Sequence, residues 1–178
     1  MKVTSGIKRG TLLSTPEDLS IRPTTDKVKQ AIFNMIQFMD TGTQALDLFS
    51  GSGSRGIEAI SRYLIKCDFV DKDTTTAAKN IKKCNFSEYA EIYKDDFSSF
   101  LKKTKKKYSL IFLDPPYHKG YIESSLELLL KNSLLKDKAI LIMESDSDEE
   151  YNIPQNIEII KEKSYGRIKI RIGVFSLL

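Results

Sequence analysis

Between residues 45 and 143, short uninterrupted apolar runs alternate with amphipathic stretches, and this restricts the chain to a parallel sheet joined by helical crossovers. Residues 45–49 (ALDLF), 110–113 (LIFL) and 139–143 (AILIM) are continuous rather than alternating, as expected of strands covered on both faces. Phe69 and Val70 end a second strand, and Ile92 and Tyr93 lie in a third. Ile57, Ile60 and Leu64 give the stretch after the first strand an apolar stripe at helical spacing, residues 74–83 read as a polar helix, and Leu126, Leu129 and Leu130 mark another. The run at 110–113 must stop at Asp114-Pro115-Pro116, because proline cannot donate to a ladder.

The two ends of the chain behave differently. Ile168, Ile170, Ile172 and Val174 alternate with Lys169, Arg171 and Gly173, which predicts a half-exposed strand. With residues 157–161 before it and Ser164-Tyr165-Gly166-Arg167 between, it forms an antiparallel hairpin closing the sheet. At the other end, Arg22-Pro23-Thr24-Thr25-Asp26 leads into a helix capped by Thr24 or Thr25 and lined by Val28, Ile32 and Ile36. The expected class is α/β, one structural domain, with residues 1–40 as an N-terminal extension of short strands and a helix packed on a core of residues 41–178.

Composition narrows the chemistry. The chain has 178 residues, enough for one real core. It lacks both an apolar run of the roughly 20 residues that cross a bilayer and a leading signal segment, so a cytoplasmic protein with no membrane partner is expected. Cys67 and Cys84 are too few and too far apart for a disulfide framework or a chelating pair, and His118 is the one histidine. No metal is therefore expected. The net charge of +4 is unevenly placed: Lys2, Lys8 and Arg9 at one end, Lys161, Lys163, Arg167, Lys169 and Arg171 at the other, against the acidic residues 144–150. These basic ends suit solvated strand faces or a phosphate-binding face. The lysine run at 102–107 reads as a solvated helix end and turn.

Gly51, Gly53 and Gly56 follow the first strand and precede a helix, where glycine lets a ligand approach the backbone. Asp71, twenty residues beyond Gly51, ends the second strand and is placed to accept bonds from ribose hydroxyls. In a dinucleotide site a pyrophosphate occupies the helix N-terminus, and the nearby Asp47 would repel it. Asp47 suits instead a cofactor carrying an ammonium and a sulfonium, which is S-adenosylmethionine. Asp96 is either the acceptor for its adenine amino group or an ordinary loop acid.

Asp114-Pro115-Pro116-Tyr117 closes the argument at the carboxyl edge of the fourth strand, where open α/β sheets bind ligands. An exocyclic base amine is a poor nucleophile because its lone pair is delocalised into the ring. The Asp114 carboxylate and the Pro115 carbonyl, accepting its two N–H groups, would draw the nitrogen toward tetrahedral geometry and free that pair. The stiff Pro115-Pro116 backbone holds the acceptors, and Tyr117 can stack on the target base.

Three stretches carry a resemblance over nearly the whole chain: Arg22-Pro23-Thr24-Thr25-Asp26 with Phe33-Asn34; residues 46–53 (LDLFSGSG) with Gly56, Glu58, Ala59, Ser61 and Arg62; and Asp114-Pro115-Pro116-Tyr117. On these the chain resembles the bacterial 16S rRNA guanine-N2-methyltransferases, Rossmann-like class I enzymes. The resemblance implies a seven-stranded sheet and methyl transfer from S-adenosylmethionine, leaving S-adenosylhomocysteine, to the N2 amine of one guanine in 16S rRNA. The partner implied is 16S rRNA within an assembling 30S subunit, and the enzyme a monomer. By position, Asp47, Ser50, Gly51 and Gly53 would border the methionine part, Asp71 the ribose, Asp96 and Phe97 the adenine, and Asp114 to Tyr117 the target amine. Arg22, Thr24 and Thr25 would contact cofactor or RNA beside the active site. Two residues depart from the pattern: Asp71 stands where glutamate is usual, and Arg55 where a small or apolar residue is common, with nothing in the sequence to account for it. The competing readings are a DNA adenine-N6 or cytosine-N4 methyltransferase, a protein glutamine methyltransferase, a dehydrogenase, and a non-catalytic RNA-binding factor. A DNA enzyme would need a target-recognition domain for which 178 residues leave no room, glutamine methyltransferases usually carry Asn at the place of Asp114, and an inactive relative would be expected to lose Asp114 or the glycine loop first.

Overall fold

The structure, a computed structural model, describes residues 1–17 and 26–178. In chain order it runs α1 (Asp26–Ile36), β1 (Gln44–Leu48), α2 (Ser54–Tyr63), β2 (Lys66–Asp71), α3 (Thr75–Lys83), β3 (Ala90–Lys94), α4 (Phe97–Lys103), β4 (Tyr108–Leu113), α5 (Tyr121–Lys131), β5 (Leu135–Asp146), β6 (Ile157–Tyr165) and β7 (Ile168–Phe175). The seven strands form one sheet in the order β3-β2-β1-β4-β5-β7-β6. Its first five strands pair in parallel, and β7 runs antiparallel to both β5 and β6. The fold is the expected α/β arrangement closed by a hairpin.

Alternate residues of each central strand feed two cores. Ala45, Leu110, Phe112, Ile140 and Ile142 face α1, α2 and α3, whereas Leu46, Leu48, Ile111, Leu113, Leu141 and Met143 face α4 and α5. Burial of both faces is what makes these runs continuously apolar. The direction of strand addition reverses between β1 and β4, so their carboxyl ends part and leave the crevice in which such sheets bind ligands.

Four local expectations need correction. Phe49 has φ of 64° and lies beyond β1, so the first strand ends one residue earlier than its apolar run. Leu64 does not sit on the apolar stripe: it is the left-handed cap that ends α2 and is half exposed. β5 begins at Leu135 rather than at 139, through a register shift opposite Tyr108 and Leu110 with Lys138 at φ 64°. β7 is not half exposed, because it lies between β5 and β6 and is largely covered; even Lys169 retains only 8% of its surface.

The N-terminal segment lies along α2. Lys2 and Leu12 form an antiparallel bridge, the Ile7 amide donates to the Ser61 carbonyl at 2.9 Å, and the amides of Thr4 and Ser5 donate to the Glu58 carboxylate. Glu58 is fully buried and also meets Lys29 Nζ at 3.4 Å and Arg62 Nε at 3.0 Å. Two cations and the segment's own amides satisfy one carboxylate, as a buried charge requires. Ser14 is tied down by Asn80, whose side-chain amide donates to the carbonyls of Ser14 and Ser52 and accepts from the Ser14 amide.

Candidate active site

A cavity of about 710 Å³ opens at the carboxyl ends of β1, β2 and β4, within the range that holds a small organic ligand. The turn after β1 supplies Phe49, Ser50, Gly51 and Ser52 to its wall, β2 supplies Asp71, and β4 is followed by Asp114-Pro115-Pro116-Tyr117. Met1, Thr15 and Pro16 of the N-terminal segment also line it.

The turn is shaped for a ligand held close to the backbone. Gly51 has φ of +52°, and a Cβ added there would meet no protein atom within 4 Å. Its N–H donates to Asp71 Oδ2 at 2.8 Å, so the acid that ends β2 also orients the loop. Ser50 is 7% exposed and its hydroxyl has no partner among the described residues. A buried hydroxyl without a partner in a cavity wall fits a polar ligand group. Phe49, Phe97 and Tyr121 cluster on the far side, with Phe49 and Tyr121 parallel at 6.0 Å and Phe97 at 4.9 and 5.0 Å from the two rings. Such rings offer a flat aromatic ligand stacking and edge contacts.

Not every residue expected at the site reaches it. Asp47 faces the α2 side of β1, is 2% exposed, accepts the Gly56 N–H at 2.9 Å, and lies beneath the loop instead of in the cavity wall. Burial pushes its carboxyl up to about 7, against the pull of Arg55 and the Gly56 bond. Gly53 is also behind the wall: with φ of +77° it begins α2 and packs against Phe69 and Ala77. Asp96 does line the cavity, but it is the N-cap of α4, with Oδ1 accepting the amides of Ser98 and Ser99. Phe97, the first residue of α4, belongs to the aromatic cluster. Arg22, Thr24 and Thr25 lie outside the described residues.

Among the described residues, the motif after β4 meets Arg55 and Glu144, from distant parts of the chain. Asp114 Oδ2 lies 2.7 Å from Arg55 Nη1, and Arg55 Nη2 bonds Glu144 Oε2. The Tyr117 hydroxyl donates to Glu144 Oε1 at 3.2 Å. The structure thus supplies the missing account of Arg55: it is a buried cation set among Asp114, Glu144 and Asp47. Burial alone would lower its pKa, but the three carboxylates outweigh burial and raise it, so it is a fixed positive charge. Glu144 carries a signal the sequence reading overlooked: it ends the apolar run of β5 as Asp114 follows that of β4, one acid at each carboxyl edge.

Beyond the motif, His118 faces Asp146 and Asp148 at 3.2 and 3.4 Å, and Arg167 Nη2 occupies the same Asp146 Oδ2 at 2.9 Å. The arginine on that oxygen makes this an ion-pair cluster. Of the C-terminal basic residues, Lys169 is buried and Arg171 is engaged by Glu162 at 2.7 Å. Among the described residues no helix is long and apolar enough to cross a membrane.

The family described as conserved hypothetical protein 95 matches residues 1–174. The chain belongs to that family. It is 35% identical over 179 residues to the ribosomal RNA small subunit methyltransferase D of Haemophilus influenzae, covering 97% of this chain and 92% of that one. The protein of the same name from Escherichia coli K12 is 30% identical over 175 residues, covering 97% and 88%. Among solved structures, yhhF of Escherichia coli superposes with a TM-score of 0.88 at 28% identity, covering 99% of this chain and 98% of that one. An RNA methyltransferase of Salinibacter ruber, solved with S-adenosyl-L-homocysteine, shares the fold at a TM-score of 0.65 and 16% identity, covering 87% and 94%.

Proposed function

We propose that this chain transfers the methyl group of S-adenosylmethionine to the exocyclic N2 amine of a guanine in 16S rRNA, during assembly of the small ribosomal subunit. The observation that carries the reading is the opening of Asp114-Pro115-Pro116-Tyr117 into the same cavity as Ser50, Gly51, Asp71 and the aromatic cluster. The names of the Haemophilus and Escherichia relatives support rRNA as the substrate.

The residues present fit that cofactor. Gly51 leaves room for its backbone-proximal part, the Ser50 hydroxyl can donate to its carboxylate, Asp71 can accept from the ribose hydroxyls, and Phe97 with Phe49 and Tyr121 can flank the adenine. Asp47 contributes from below by holding the Gly56 amide and hence the start of α2. When bound, S-adenosylmethionine supplies an electrophilic methyl group on a sulfonium. Asp114 and the Pro115 carbonyl accept the two N–H groups of the target amine, which localises its lone pair for attack on the methyl carbon. Transfer of the methyl group would leave the former C–S pair on sulfur, and Asp114 would take the proton shed by the methylated nitrogen. Tyr117 holds the plane of the base. A base in an RNA helix must leave its stack to reach this cavity, which favours a loop or a locally opened region of the rRNA.

The test is Asp114→Ala. It should lower methyl transfer to 30S particles by about a hundredfold to a thousandfold, the scale of losing one group that stabilises developing charge, while calorimetry finds cofactor affinity nearly unchanged. Transfer by this variant at the wild-type rate would remove Asp114 from the mechanism.

A further inference from the structure

We propose that Arg55 is a positioning residue for the methyl transfer, bridging Asp114 to Glu144 so that the carboxylate offered to the target amine is held ionised and in one orientation. This rests on the function proposed above, in which Asp114 is the acceptor.

Arg55 sits in the first turn of α2, 7% exposed, where a surface charge has no reason to be. Its two terminal nitrogens reach different strand ends: Nη1 to Asp114 after β4, Nη2 to Glu144 in β5. Glu144 in turn receives the Tyr117 hydroxyl, so Asp114, Arg55, Glu144 and Tyr117 form one chain that begins and ends in the same four-residue motif. A planar guanidinium can make two charge-assisted bonds at once and fix both acceptors; an ammonium cannot reproduce that geometry. Among the described residues the charged groups that act on Arg55 are the acids Asp114, Glu144 from β5 and Asp47 from β1, together with one cation, Lys29 from α1, while Asp71 from β2 acts on Asp47. Removing Arg55 takes away the cation 2.7 Å from the Asp114 carboxylate while Asp47 still acts on it, and this favours the neutral form of Asp114, which carries a proton where the amine must donate.

A merely structural ion cluster predicts lost stability and nothing more. A positioning role predicts a change in how activity depends on pH. In Arg55→Leu, kcat should fall by about thirtyfold or more, within the range for losing a charged hydrogen bond at a reacting group. KM for RNA should hardly change, and the acidic limb of the kcat profile should move to higher pH. Arg55→Lys, which keeps the charge, should restore the limb but only part of kcat. Arg55→Leu/Glu144→Gln also removes the Glu144 charge and keeps the comparison open if the single variant folds poorly. In parallel, carbon-13 titration of the side-chain carboxyls, with Asp114 assigned from Asp114→Asn, should show the Asp114 midpoint rising by at least about one unit in Arg55→Leu, as expected when an adjacent cation is removed. That reading needs no substrate. A folded Arg55→Leu with wild-type kcat and pH profile, beside an inactive Asp114→Ala, would overturn this inference while leaving the proposed function standing. If the wild type transfers no methyl to RNA, the proposed function falls, and an unmoved Asp114 titration would then also deny Arg55 its hold on that carboxylate.

Discussion

At Gly56, α2 presses closely on β2, and Gly56→Ala tests whether that approach is needed. A Cβ there would lie 2.4 Å from Phe69 Cε1, 2.7 Å from Cζ and 2.8 Å from Cys67 Sγ. Carbon contacts relax at about 3.5–4.0 Å, so helix and ring must part by about 1 Å. Phe69 has little freedom to yield, because it is fully buried. Two effects oppose each other. Alanine favours a helix interior over glycine by about 1 kcal/mol, whereas forcing extra atoms into a packed core costs about 1–3 kcal/mol. With overlap this deep on two buried side chains, the upper part of that range applies, for a net loss of about 1–2 kcal/mol and a fall in Tm of about 2–8 °C. Urea unfolding with an unchanged m-value measures it. Because α2 starts at the turn proposed to hold the cofactor, S-adenosylmethionine affinity should fall as well. Phe69→Leu in the same chain should recover part of the loss, so the two substitutions should cost less together than their sum. Equal or greater stability of Gly56→Ala would refute the close-packing argument.

Three further outcomes follow from the site. Asp71→Ala removes both the proposed ribose acceptor and the partner of the Gly51 amide, and should weaken S-adenosylmethionine binding by about tenfold or more, the scale of a hydrogen bond to a charged group; an unchanged calorimetric dissociation constant would contradict it. Asn80→Ala strips the buried partners of Ser14 and the Ser52 carbonyl, and should cost about 2–3 kcal/mol in denaturant unfolding while loosening the cavity wall at residues 14–16, so a loss below measurement error would deny its role. Asp47 carries a pH signature. Its folded pKa, raised from 3.8 to about 7, means the native state holds this proton more tightly than the unfolded chain, so its contribution to stability is lost as pH rises from about 4 to about 7. Asp47→Asn abolishes that loss, and the stability difference between variant and wild type should move in the variant's favour from pH 5 to pH 8; a constant difference would show that Asp47 does not titrate in this window.

Much of this architecture is legible in the sequence because burial on two faces leaves continuous apolar runs and crossovers leave helical stripes. Phe49, Leu64 and Lys138 escape such reading: each takes a left-handed backbone that tertiary packing imposes on a residue type with no preference for it. The short α4 escapes apolar periodicity at seven residues, although Asp96 followed by Ser98 and Ser99 is a capping pattern that marks its start. At the cavity, the glycine turn and Asp114-Pro115-Pro116-Tyr117 stand out in the sequence because the proposed chemistry asks for those residue types in local order, and both line one cavity. Arg55 and Glu144 are 89 residues apart, and only the pairing of β4 with β5 and the packing of α2 bring them to Asp114. Asp47 misleads for a related reason: strand alternation turns it under the loop, toward α2, while its position in the sequence suggests the ligand side.

The central claim is that this site methylates a guanine amine in rRNA. The most direct measurement is to incubate the protein with labelled S-adenosylmethionine and, in parallel, undermethylated 30S particles, stripped 16S rRNA, unmethylated duplex DNA and bulk protein, then resolve the labelled product by mass spectrometry after digestion. N2-methylguanosine in 16S rRNA, absent with Asp114→Ala, is the expected result. Label confined to DNA or protein, or RNA binding with no transfer at all, would contradict it.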